Sequence, residues 1–87
     1  MTLRVERSAR DKYTVFALSG RMEAEHIPAL KELFELGLNP QRVILDLSEL
    51  KLLDREGVRF LTRCEADGMK LEHCPAYVRE WIQREKD

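Results

Sequence analysis

The sequence predicts an α/β fold, a mixed sheet of about four strands with helices packed against it in the order β-β-α-β-α-β-α. Three observations predict it. Apolar residues alternate near the N-terminus, and their spacing lengthens to three and four residues from Ile27 onward. A nearly continuous apolar run, Val43-Ile44-Leu45-Asp46-Leu47, then interrupts the helical segments. With 87 residues, 44% of them hydrophobic, residues 1–87 suit a single small domain with one core.

Leu3 and Val5 alternate with Arg4 and Glu6, which makes Thr2 to Arg7 a strand, and the polar stretch Ser8-Ala9-Arg10-Asp11-Lys12 reads as the turn after it. Tyr13 to Leu18 is rich in β-branched and aromatic residues and stops at Ser19-Gly20, so the first two strands form an antiparallel hairpin. Ile27, Leu30, Leu33 or Phe34, and Leu38 share one stripe of a helix, with Pro28 in its first turn and Gly37 at its end. Val43 to Leu47 fits a central strand covered on both faces. Asp54 can N-cap a second helix that carries Val58, Leu61 and Cys64 or Glu65 on one face and ends near Asp67-Gly68. Met69 to His73 makes a short strand, and Pro75 opens a last helix with Val78, Trp81 and Ile82 as its stripe. The β-α-β-α-β portion implies right-handed crossovers and parallel pairing.

Composition narrows the function. Lys and Arg number 15 against 16 Asp and Glu, a net charge of -1. A protein that grips phosphate backbones needs clustered cations, so nucleic acid is not an expected partner. No segment approaches the ~20 apolar residues of a membrane helix and the N-terminus does not read as a signal peptide, so direct membrane insertion is not expected and the cytoplasm is the expected compartment. Cys64 and Cys74 match neither a CxxC pair nor a zinc spacing and read as small buried hydrophobes. His26 and His73 lie far apart with no second ligand pair, so neither metal nor cofactor is expected.

Chemistry has few candidates. GxSxG, P-loop and HExxH spacings are absent. An enzyme would have to use Asp46, Asp54 and Glu56, gathered near one strand end, yet Asp54 as an N-cap and Glu56 in a first helical turn are also what a helix N-terminus favours. Ligands of such sheets meet the carboxyl ends of the parallel strands, here the segment from Ser48 to Gly57. Leu50, Leu52 and Leu53 stand where a connection is normally polar. At least two of them should tuck under the following helix, and one left exposed would mark a binding surface.

The stretch Val43-Ile44-Leu45-Asp46-Leu47-Ser48-Glu49-Leu50-Lys51-Leu52-Leu53-Asp54-Arg55-Glu56-Gly57-Val58 resembles the signature of STAS domains, the anti-sigma factor antagonist family, written V-x-L-D-L-S-x-V-x-F-x-D-S-S-G-L. Ser19-Gly20-Arg21-Met22-Glu23 is similar to that family's G-E-L-D turn before its first helix. The resemblance implies a STAS-like domain that regulates transcription in bacterial signalling by binding protein. In switching members the second serine of D-S-S-G is phosphorylated by an anti-sigma factor kinase, and the unphosphorylated form binds that kinase. The matching turn here is Asp54, Arg55, Glu56 and Gly57, so the phosphoacceptor-equivalent is Glu56, which has no hydroxyl. Ser48 and Thr62 are the nearest alternatives. Glu56 brings about one charge where phosphoserine brings about -1.5 to -2, so it is an imperfect phosphate mimic, and the resemblance implies a site either locked in a phosphorylated-like state or turned to another use. Arg55 puts a cation in a first helical turn, which calls for a compensating contact with Asp54, Glu23 or a partner carboxylate.

The resemblance implies a non-enzymatic interaction module whose partner, of the anti-sigma kinase class, meets Glu23, Leu52, Leu53, Asp54, Arg55, Glu56, Gly57 and the exposed face of the second helix. The alternative it implies is a cytoplasmic STAS subunit of a membrane transporter complex, which would need no phosphorylation.

Overall fold

A computed structural model describes residues 3–86; Thr2, where the first strand was expected to begin, lies outside them. Strand β1 (Leu3–Arg10) runs on through the polar stretch expected as a turn, and the reversal into β2 (Tyr13–Met22) takes only Asp11 and Lys12. Asp11 has φ 55°. Aspartate tolerates that left-handed conformation, and a two-residue hairpin demands it. β2 also outruns its expected stop. Gly20, at φ 92°, sits where the pairing register shifts between Gly20 and Arg21, so it makes an irregularity within the strand.

A short 3-10 turn (Ala24–His26) leads into helix α1 (Ile27–Phe34), with Pro28 at its start as expected. α1 stops short of Gly37, which instead shapes the exit at φ 73° and donates its N–H to the Glu35 carbonyl at 2.8 Å. Leu38 still packs against the core from beyond the helix end. After a second 3-10 turn (Pro40–Arg42), β3 (Val43–Leu53) extends well past Leu47. Helix α2 (Arg55–Ala66), strand β4 (Lys70–Glu72) and helix α3 (Ala76–Lys86) complete the chain.

The four strands lie in the order β1-β2-β3-β4. β1 and β2 are antiparallel, while β2 with β3 and β3 with β4 are parallel, so the sheet is mixed as the sequence predicts. β4 reaches only from Ile44 to Asp46, which leaves the second half of β3 paired on one side alone.

Phe16, Leu18, Leu45, Leu47, Val58, Leu61, Val78 and Ile82 are fully buried in one cluster, to which all three helices contribute. Each such side chain contributes roughly 1.5–3 kcal/mol by leaving water. Phe34 of α1 links the layers, its ring 5.0 Å from Phe16 on β2 and 5.8 Å from Phe60 on α2. The apolar run of β3 is buried on both faces, as expected, although only one face meets the cluster to which the helices contribute. Phe16, Leu18, Val43, Leu45 and Leu47 face the cluster, and alternation turns Ile44 to the opposite face, outside it. Ile44 is nevertheless buried. On that face an Arg10–Glu72 ion pair at 2.8 Å reaches between the two edge strands.

Candidate partner-binding site

Asp54 is the joint of the expected site. One carboxylate oxygen accepts the Gly57 N–H at 2.8 Å and caps α2, and the other accepts the Ala24 N–H at 2.8 Å. Its own N–H donates to the Met22 carbonyl at 3.3 Å. One residue thereby ties the end of β2, the end of β3 and the start of α2. Glu23 sits beside it, half-buried, and its N–H donates to His26 Nδ1 at 3.0 Å, closing the 3-10 turn.

Gly57 lets α2 sit this close. A Cβ there would lie 2.6 Å from Leu53 Cδ1 and 3.2 Å from the Met22 carbonyl oxygen. Leu50 and Leu53 are each 4% exposed and belong to the core, whereas Leu52 stays 42% exposed. Leu53 and Gly57 are thus buried and shape the turn from within, and Leu52, Arg55 and Glu56 are the members of the set whose side chains reach solvent.

The expected relief for Arg55 comes from elsewhere. Its guanidinium lies 3.8 Å from Glu85 of α3, which also takes Arg59 at 3.2 Å. Arg59 in turn lies 3.4 Å from Glu56. Sequence spacing carries no signal for Glu85, because the pairing depends on how α3 crosses α2. Glu65 forms a matching cluster, held at 3.0 Å by both Arg79 and Lys86. Burial alone would raise the Glu65 pKa, but the bonds from Lys86 and Arg79 outweigh it and hold the carboxyl below its ordinary value.

Asp46, Asp54 and Glu56 do not converge. Asp46 and Asp54 are separated by the second half of β3, which runs alongside β2 from Ala17 to Met22, about 17 Å. Asp46 accepts the Ser48 N–H at 3.0 Å and faces His73 Nδ1 at 3.3 Å. The Ser48 N–H is the main reason its pKa lies below the ordinary carboxyl value; partial burial opposes the shift, and the Ser48 hydroxyl and His73 add to it. The other hydroxyl near the turn, Thr62, donates to the Val58 carbonyl at 2.8 Å. Both cysteines are free. Burial pushes the Cys64 thiol up to about 12, with Asp67 adding to it, and raises Cys74 as well, so neither is a ready nucleophile. Among the described residues no group of three or more His, Cys, Asp or Glu is placed to hold a metal ion, and no helix is long and apolar enough to cross a membrane.

This geometry offers an exposed apolar side chain and two charged ones on a braced turn, an arrangement suited to contact between proteins. A family profile described as "Mlab, STAS domain" matches residues 5–81. A solved structure described as an antisigma-factor antagonist, STAS domain from Rhodobacter sphaeroides, superposes with a TM-score of 0.62 at 11% identity, covering 83% of this chain and 87% of that one, and so shares the fold. No curated protein sequence matches the chain. The profile match over most of the residues, together with the four-stranded mixed sheet and its helices, establishes that the chain belongs to the STAS domain family.

Proposed function

We propose that the chain is a non-enzymatic docking module that meets a protein partner at the edge formed by Leu52, Arg55, Glu56 and the exposed face of α2. Glu23, Leu53, Asp54 and Gly57 hold the backbone that presents them. The reading rests on one observation above all. Among the described residues the strongly exposed large hydrophobics are Leu36, Leu52 and Tyr77, and the Tyr77 hydroxyl donates to the carbonyl of Lys51 at 3.4 Å, which brings two of the three to this edge. Exposed apolar surface gathered in one place is a general mark of interfaces.

The role is that of an anti-sigma factor antagonist, with a partner of the anti-sigma kinase class. Glu56 occupies the phosphoacceptor-equivalent position and Arg59, 3.4 Å away, offsets its charge, so the edge is held in one state, nearer the unphosphorylated, kinase-binding form, and is not switched. The test begins by placing a photo-crosslinking residue at position 52 and identifying the captured protein by mass spectrometry. Titration of that protein against Leu52→Ala should then show affinity weakened by about tenfold or more, as burial of a leucine contributes roughly 1.5–3 kcal/mol. Unchanged affinity in both Leu52→Ala and Glu56→Lys would remove the reading.

A second reading, a cytoplasmic subunit supporting a membrane transporter, is favoured by the lack of any hydroxyl in residues 54–57, since such a subunit needs no phosphorylation. Identification of a transporter component, and not a kinase, as the crosslinked protein selects it.

A further inference from the structure

We propose that the trough between α1 and α2 is a second docking surface, shaped for an acidic amphipathic segment of a protein partner. The proposal rests on the reading of the chain as a protein-binding module; the trough adjoins the edge at Leu52, sharing Glu56 and part of the α2 face with it, but does not depend on Leu52.

The trough begins as a cleft of about 260 Å³ lined by Ile27, Lys31, Glu56, Arg59, Phe60 and Arg63. It continues into a larger hollow of about 520 Å³ that shares Lys31, Phe60 and Arg63 and adds Phe34, Leu38 and Met69. Its floor is apolar, with Phe60 8%, Met69 7% and Phe34 5% exposed at their outer edges.

The charges on its banks are not equivalent. Arg59 is committed to Glu56 and Glu85. Lys31 on α1 and Arg63 on α2 flank Phe60, and among the described residues neither has an ion-pair partner. Two uncommitted cations on either side of an apolar floor complement a segment that sets a carboxylate beside an apolar side chain. Glu35 and Asp67 line the far end, so the occupant's carboxylates belong near Lys31 and Arg63 and its other end must be neutral or basic. The α2 bank, 12 residues long, extends for about 18 Å, room for about three turns of a helix laid along it.

The probe is a synthetic helical peptide with glutamates in its first turn, a leucine stripe at helical spacing and lysines in its last turn, titrated into the isotope-labelled full chain and followed by NMR. Amide shifts should map to residues 27–38 and 58–69. Affinity should fall by about tenfold or more when the glutamates become glutamines, or in the Lys31→Gln/Arg63→Gln protein, and should weaken with added salt. Lys31 and Arg63 are exposed, so this variant should keep the wild-type spectrum elsewhere. Absence of shifts, or equal affinity for the glutamine peptide, overturns the proposal. Shifts centred on residues 52–57 overturn it as well while leaving the edge reading intact, and a failure of the Leu52 variants leaves the trough untouched.

Discussion

Replacing Gly57 with alanine tests how tightly α2 is seated on the sheet. The added methyl would stand 2.6 Å from Leu53 Cδ1, 3.3 Å from Leu53 Cγ and 3.2 Å from the Met22 carbonyl oxygen, all inside the ~3.5 Å at which carbon contacts become favourable. Leu53 is 4% exposed and has little room to swing away. The Met22 carbonyl accepts the Asp54 N–H at 3.3 Å, so displacing it stretches the bond that joins β2 to the turn. Overpacking of this kind costs about 1–3 kcal/mol, and the better helix propensity of alanine returns up to about 1 kcal/mol. With the full return the net loss is about 1 kcal/mol and at most about 2, with a fall in Tm of roughly 4–8 °C per kcal/mol for a domain of this size. Urea unfolding followed by far-UV circular dichroism measures it, provided the m-value is unchanged. A midpoint equal to or above that of the parent protein would refute the close seating, and Gly57→Val should be worse than Gly57→Ala.

Asp54→Ala removes the cap and the link to Ala24 together and should cost about 2–3 kcal/mol by the same urea assay. Glu56→Lys should cost only about 0.3–1 kcal/mol, since it reverses a favourable charge at a helix N-terminus but leaves the core alone. Incubation with a cognate kinase, followed by phosphopeptide mapping, should find no phosphate in residues 54–57; stoichiometric phosphate on Ser48 would contradict a fixed charge state. Because the folded state holds the Asp46 pKa below its ordinary 3.8, Asp46 contributes stability that is fully present above that value and is lost as pH falls through the lower folded value. The stability gap between the parent protein and Asp46→Asn should therefore be constant near neutrality and should narrow in acid below about pH 4, as read from thermal unfolding across pH.

What the sequence made legible was local. The order of elements, the cap at Asp54, Pro28 at the start of α1 and the apolar stripes of the helices all follow from spacing within a turn or two. Strand ends were harder to read, because two register shifts in the β2–β3 pairing break the alternation just where Ser48, Glu49 and Lys51 look like a connection. That longer β3 also defeats a carboxylate cluster, since it carries Asp54 away from Asp46. The cation pair on Glu85 was invisible for a different reason: its members come from two helices whose crossing is decided by the packing of Val78 and Ile82 against α2 and the sheet, and not by any local pattern.

The twin bond of Asp54 bears on the thermodynamics of partner capture. A loop that must order itself on docking loses backbone entropy at that moment and shows a heat-capacity change larger than its contact area accounts for. Here the turn is already anchored to β2 through Met22, to the 3-10 turn through Ala24 and to α2 through Gly57. Docking then immobilises only side chains such as Leu52, Arg55 and Glu56, at about 0.5–1.5 kcal/mol each. Calorimetry at the Leu52 edge should accordingly give a heat-capacity change that matches rigid-body burial, and adaptation in shape falls to the partner.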